Sequence, residues 1–116
     1  MPTRLLTVNL PRLLSDLVVG LVAEEDDLMV VGDVAAGLAL TALEALAPEV
    51  VVVCMDKTER ARTALAQLRE RRPPVRIVEL HDVGRTAIIH VPGALPRMVA
   101  DVSPGALLRM LRGPGN

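Results

Sequence analysis

Hydrophobic residues along the chain follow two alternating patterns. Four short and nearly continuous apolar stretches have the length and β-branched content of buried strands; they cover residues 4–8, 28–34, 49–54 and 75–80. Three longer stretches place apolar residues every three or four positions, as in a helix with one face on a sheet; they cover residues 11–25, 36–47 and 58–71. This alternation predicts an α/β domain with a parallel sheet.

The C-terminal part of the chain continues the alternation. Residues 97–102, with the sequence RMVADV, are predicted to form another strand. Ser103 and Pro104 then suit the cap and first turn of a short last helix. We therefore expect one domain over residues 1–112, followed by a flexible tail or the start of a linker at 113–116.

Residues 81–96, with the sequence HDVGRTAIIHVPGALP, allow two structures. The β-branched run 86–91 favours a strand, which the turn at 82–84 would send back along the fourth strand. The alternative is a short irregular helix that ends at Pro92-Gly93. We favour the helix because a regular α/β alternation places one there, although the composition argues for the strand.

Composition excludes several classes of function. The formal net charge of −1 argues against a general nucleic-acid or anionic-membrane binder. Phe, Tyr and Trp are absent, so the chain has no base-stacking platform or aromatic cage. A single cysteine rules out an internal disulfide, and the apolar runs are too short to span a bilayer. We expect a cytoplasmic protein without a cofactor, without direct nucleic-acid binding and without membrane association.

Four phrases, taken in order and spacing, resemble a response-regulator receiver domain of the kind fused to helix-turn-helix output domains. They are DDLMVVGDVAAG, PEVVVVC, LRERRPPVRIVEL and DVSPGALLRML, and the resemblance covers residues 4–80 and 97–112. It implies a flavodoxin-like, three-layer fold with a five-stranded parallel sheet in the order 2-1-3-4-5 and helices on both faces. It also implies a site at the carboxyl ends of the strands, where typical members phosphorylate an aspartate.

The resemblance places each part of that phosphorylation site on a residue that cannot perform its role. The acidic pair that holds Mg²⁺ falls on Asn9 and Leu10, and the phosphoacceptor aspartate falls on Cys54. The Ser or Thr that senses the phosphate falls on His81, and the lysine that neutralises it falls on Ala100. A thiol and an aliphatic side chain do not supply the oxygen ligands that Mg²⁺ prefers.

Asp56, two residues after Cys54, is the nearest carboxylate to the acceptor position. Without a metal pair or a lysine, the charge of an aspartyl phosphate there would be poorly neutralised. The sequence therefore predicts a degenerate receiver, or pseudo-receiver, that is not an enzyme. Such a domain would act in signal transduction or transcriptional regulation through protein contacts, independently of aspartyl phosphorylation.

Three further interpretations concern the same edge of the sheet. Cys54 and His81 end neighbouring strands, so they could form an activated thiolate pair of a redox sensor or a small thiol enzyme. A half-buried cysteine that only packs is the favoured alternative. A small ligand in the vacated pocket is another possibility. Asp56, Asp82 and Asp101 could bind a metal weakly with His81, but their spacing matches no metal motif and we predict none.

The resemblance also implies a partner surface in the last third of the chain, where the aromatic switch residue of the family falls on Arg97. The apolar content of this segment predicts homodimerisation or docking of an output domain. The residues concerned are Ile88, Ile89, Val91, Leu95, Arg97, Met98, Leu107, Leu108 and Met110. A cluster of arginines at 69–76 could meet an acidic partner, although a solvated helix end is the favoured interpretation.

Overall fold

The computed structural model of the protein describes residues 2–112, so the predicted tail at 113–116 lies outside the described residues. Six strands alternate with four helices over most of this range. The strands are β1 (Thr3–Val8), β2 (Leu28–Val34), β3 (Val50–Cys54), β4 (Arg76–His81), β5 (Thr86–His90) and β6 (Arg97–Val99). The helices are α1 (Arg12–Ala23), α2 (Ala39–Leu46), α3 (Glu59–Glu70) and α4 (Pro104–Arg112).

All six strands belong to one sheet in the order β2-β1-β3-β4-β5-β6. The first four are parallel to one another, as the alternating sequence pattern predicts. β5 runs antiparallel to β4, and β6 runs antiparallel to β5. The α/β class and the order of the first four strands are therefore confirmed. The expected sheet of five parallel strands in the order 2-1-3-4-5 is wrong, because an additional strand lies between β4 and the last strand.

The segment for which we favoured a helix instead forms the β4–β5 hairpin. Asp82, Val83 and Gly84 form its turn, with φ angles of 52°, 55° and 90°. Gly84 suits this position because a Cβ atom there would lie 3.1 Å from Leu14 Cδ1 of α1. The β-branched run after the turn then pairs residue by residue with β4, from His81 with Thr86 onwards. The β-branched composition of this segment predicted the strand correctly, whereas the regular alternation of strands and helices predicted a helix that is absent.

Two apolar clusters hold helices on the two faces of the sheet. The first cluster joins α1 and α4 to the sheet through residues such as Val18, Val52 and Leu111. The second joins α2 and α3 to the opposite face through residues such as Leu43 and Leu68. The apolar stripes predicted for the helices account for this division, because each stripe must be removed from water against a sheet face.

The second face of the sheet is covered over only part of its width. Within residues 2–112, the second cluster contains residues of β1, β3 and β4 but none of β5 or β6. On this uncovered part Ile88 of β5 pairs with Met98 of β6, whose side chain is 68% exposed. We call this surface, formed by Ile88 and Met98, the open face. It exists because β5 occupies the segment between β4 and the last strand, β6, in which a helix was expected.

Ion pairs tie the last helix to the loop between α1 and β2. Arg112 at the end of α4 donates to Glu25 and, at 2.7 Å, to Asp27 Oδ2. The guanidinium lowers the pKa of Asp27 through this hydrogen bond. At the other end of α4, the Ser103 hydroxyl accepts from the Ala106 N–H at 3.1 Å, as predicted for its cap.

Candidate functional site

Asn9 connects the carboxyl ends of β1 and β3. Its backbone adopts a φ of 61°, a left-handed conformation that asparagine tolerates better than most residues. Its amide donates to the Cys54 carbonyl at 2.8 Å and to Asp56 Oδ2 at 3.2 Å. The side chain at the predicted metal-binding position therefore links two strand ends within the protein itself.

The Asp56 carboxylate accepts hydrogen bonds within its own loop, between β3 and α3. Its Oδ1 atom accepts from the Thr58 hydroxyl at 2.5 Å and from the Thr58 backbone N–H at 2.9 Å. Thr58 Oγ1 accepts in turn from the Ala61 N–H at 3.2 Å and so caps α3. The hydrogen bonds from Thr58, followed by the one from Asn9, lower the pKa of Asp56. This carboxylate is fixed in a turn and helix-cap network.

Cys54 is buried in the first apolar cluster beside Leu80, its partner on β4. Burial raises the pKa of its thiol, and the nearby Asp56 charge raises it further. Both effects disfavour the thiolate, which is the nucleophilic form. The residue at the phosphoacceptor position therefore has the environment of a packing residue.

The structure does not bring Cys54 and His81 together. Cys54 pairs with Leu80 and packs with it on the face covered by α1 and α4. Since successive side chains of a strand point to opposite faces, His81 points to the other side of the sheet. There its Nε2 atom lies 3.1 Å from Glu79 Oε1.

The other positions of the predicted site are dispersed. Leu10 is partly buried and packs against the first apolar cluster. Ala100 follows β6, which is three strands away from β3 in the sheet. At about 4.8 Å per strand spacing, Ala100 lies roughly 14 Å across the sheet from Cys54, rather than the roughly 10 Å of a five-stranded arrangement. The inserted strand thus moves the lysine position away from the acceptor position.

Glu79, His81 and His90 form a cluster that the sequence reasoning missed. Glu79 is only 7% exposed, and its Oε2 atom lies 2.8 Å from His90 Nε2. Its other oxygen meets His81, so each imidazole donates an N–H to the same carboxylate. A glutamate within the apolar strand sequence VRIVEL, two residues before a histidine on the same face, was the available signal. The contact between His90 and Glu79 could be predicted only if the β4–β5 hairpin was recognised.

A second internal network joins β1, β2 and α1. The Thr7 hydroxyl, which is buried in the sheet, donates to Asp33 Oδ1 at 2.7 Å. The Ser15 hydroxyl of α1 donates to Asp33 Oδ2 at 2.7 Å. The Asp33 carboxylate therefore links β2 to β1 through one oxygen and to α1 through the other.

Much of the predicted partner segment lies inside the protein. Ile89, Leu107 and Met110 are buried in the first apolar cluster. Val91 and Leu108 are partly buried and pack against it. These five residues hold α4 on the sheet and do not present a surface to a partner.

The rest of the predicted segment reaches the surface. Leu95, Arg97 and Met98 are exposed, and Ile88 is half-buried. The pairing of β5 with β6 places Ile88 and Met98 on the open face, whereas Arg97 pairs with Ile89 on the side of α4. The exposed apolar part of the segment therefore consists of the open face and of Leu95 in the loop between β5 and β6.

Two further features define what the described part of the chain lacks. Among residues 2–112, no group of three or more His, Cys, Asp or Glu side chains is arranged to hold a metal ion. None of the helices in this range has the length and apolar character needed to cross a membrane.

Comparison with known proteins adds no identification. No protein-family model matches the chain, and a search of curated proteins finds no match.

The buried Cys54 thiol generates a first prediction. Because burial and the Asp56 charge both raise its pKa, the thiol stays protonated at pH 8. We expect Ellman's reagent to modify the native protein at least about tenfold more slowly than the same protein unfolded in urea. Stopped-flow absorbance at matched pH measures both rates. A native rate equal to or above the unfolded rate would show an activated thiol and contradict this assignment.

Proposed function

We propose that this chain is a receiver-like domain that acts by associating with a second copy of itself, without aspartyl phosphorylation. The open face is the observation that carries the proposal. It exposes Met98 beside the half-buried Ile88, where an α/β sheet of this type would otherwise carry a helix. A sheet face left apolar at the surface is characteristic of an interaction site.

The chemistry at the carboxyl ends of the strands supports the loss of phosphorylation. The acceptor position carries a buried thiol with a raised pKa, and the nearby Asp56 is held by Thr58 and Asn9. Phosphorylation of Asp56 would break these hydrogen bonds and would add negative charge where Leu10 and Ala100 offer neither a metal ligand nor a cation. A protein contact does not require that chemistry.

A second copy suits the open face because Ile88 and Met98, which form it, are both apolar. The Glu79 carboxylate lies next to Ile88 on the same side of the sheet, but it is only 7% exposed and contacts His81 and His90. In a two-fold symmetric interface the same surface occurs on both sides, so it must be complementary to itself. An apolar patch meets this condition without a pattern of opposite charges.

No geometric observation favours a thiol enzyme or a redox sensor. Cys54 and His81 lie on opposite faces of the sheet, and His81 is hydrogen-bonded to Glu79. We therefore advance no second candidate function.

Phosphorylation can be tested directly. After incubation with acetyl phosphate and Mg²⁺, we expect intact-mass spectrometry to show no mass increase of about 80 Da, the mass of one phosphoryl group. The physical reason is that Asn9 and Leu10 stand where a carboxylate pair would hold Mg²⁺, and Ala100 stands where the family has its lysine. A receiver domain with an intact phosphorylation site is the positive control. A stoichiometric adduct that maps to Asp56 would refute the phosphorylation-independent mode of action.

Self-association through the open face provides a further prediction. We expect wild-type protein to show concentration-dependent dimerisation in sedimentation equilibrium. Met98→Lys should raise the dimer Kd by at least about tenfold, because a buried ammonium would lose its hydration without gaining a partner. Met98 is exposed in the single chain, so the fold should tolerate the change.

Met29→Lys is the matched control for this experiment. Met29 is also an exposed methionine on an edge strand, but it lies on β2 at the opposite side of the sheet. We expect this variant to dimerise like the wild type. A wild-type protein that stays monomeric at high concentration would contradict self-association, and an equal loss in both variants would contradict the assigned face.

A further inference from the structure

A cleft of about 350 Å³ lies at the edge of the sheet opposite Cys54. It is enclosed by the C-terminal end of α3, the segment that enters β4 and the segment that leaves β5. Its lining includes Arg69, Arg72, Pro74, Val75, His90 and Val91. The volume falls within the range of small-molecule sites, about 300–1,000 Å³.

The cleft has two cationic side chains that no acid of the described chain neutralises. The Arg69 side chain makes no hydrogen bond or ion pair within residues 2–112. Arg72 donates only to the neighbouring Arg71 carbonyl, at 3.1 Å. Both residues are exposed at the mouth of the cleft. Two unpaired guanidinium groups on one wall favour an anion, since their planar N–H groups match carboxylate and phosphate oxygens.

Both carboxylate oxygens of Glu79 are hydrogen-bonded to histidines. Its oxygens lie 2.8 Å from His90 Nε2 and 3.1 Å from His81 Nε2, so it does not pair with the arginines. A carboxylate only accepts, so His90 donates its Nε2–H to Glu79 and retains Nδ1 for other contacts.

The remaining wall of the cleft is apolar. Val75, Ile77 and Val91 line it together with Pro74 and Pro92. An inorganic ion would leave this surface without a partner, whereas an organic anion could place a short apolar group on it.

We propose that this cleft is a binding site for a small organic anion. Arg69 and Arg72 would hold its carboxylate or phosphate group, and the valine and proline wall would hold its apolar part. The site lies at the opposite edge of the sheet from the receiver-type site, and it goes beyond the self-association proposed above. His90 and Ile88 share one face of β5, so the cleft adjoins the open face.

An NMR titration of the full chain tests the proposal. Phenyl phosphate and inorganic phosphate are added separately to ¹⁵N-labelled protein at constant ionic strength. We expect phenyl phosphate to cause saturable shifts of the amide signals of Val75, Ile77 and Val91. We expect its affinity to be at least about tenfold higher than that of inorganic phosphate, because only the organic ligand reaches the apolar wall.

Two double variants separate a specific site from general attraction of anions. Arg69→Gln with Arg72→Gln should weaken phenyl phosphate binding by at least about tenfold. Arg60→Gln with Arg62→Gln, which removes the same charge from exposed positions at the start of α3, should leave the affinity unchanged.

Four outcomes would overturn the proposal. Shifts that grow linearly without saturation, or that weaken equally in both double variants, would show only general attraction of anions. Equal affinity for the two phosphates would exclude a ligand with an apolar part. Saturable binding of an acidic peptide, with no binding of phenyl phosphate, would assign the arginines to a protein partner.

Discussion

The antiparallel pairing of β5 with β4 is the constraint on which the rest of the structure depends. It fills the sheet position next to β4, so the strand after it moves to the edge and Ala100 moves further from Cys54. It removes the helix that would otherwise cover this part of the sheet, which leaves Ile88 and Met98 on the open face. One local choice between hairpin and helix therefore changes both the receiver-type site and the surface available to a partner.

The hairpin and the buried carboxylate of Glu79 support each other. A carboxylate that is only 7% exposed is costly unless it is hydrogen-bonded. His81 reaches it from the same strand, but His90 reaches it only because β5 returns along β4. A helix in place of β5 would remove the 2.8 Å contact and leave Glu79 Oε2 without this partner. The native pairing thus combines apolar packing of Ala87 and Ile89 on one face with polar satisfaction on the other.

Local patterns predicted the parts of the structure that local physics determines. The continuous valine run before Cys54 identified a buried central strand, and Ser103 was correctly placed as a helix cap. The sequence was ambiguous over residues 81–96, where the secondary structure depends on whether the segment pairs with β4. The β-branched composition of 86–90 was visible, but only the register with β4 shows that it forms a strand. His81 was predicted to lie near Cys54 because strand ends were compared without assigning the face to which each side chain points. The Glu79–His90 contact was missed because it joins two strands whose pairing was not predicted.

Interstrand NMR contacts between residues 76–81 and 86–90 are the most direct test of the antiparallel pairing of β5 with β4. We expect strong Hα–Hα nuclear Overhauser effects at alternate pairs of the β4–β5 register, because the two strands are antiparallel. We expect contacts of the same kind across β5 and β6, either between Ile88 and Met98 or between the pairs on either side of them. Helical contacts between residues three apart within 86–90, together with direct parallel pairing of 97–99 with β4, would contradict the antiparallel pairing. That result would restore the five-stranded arrangement and cover the open face.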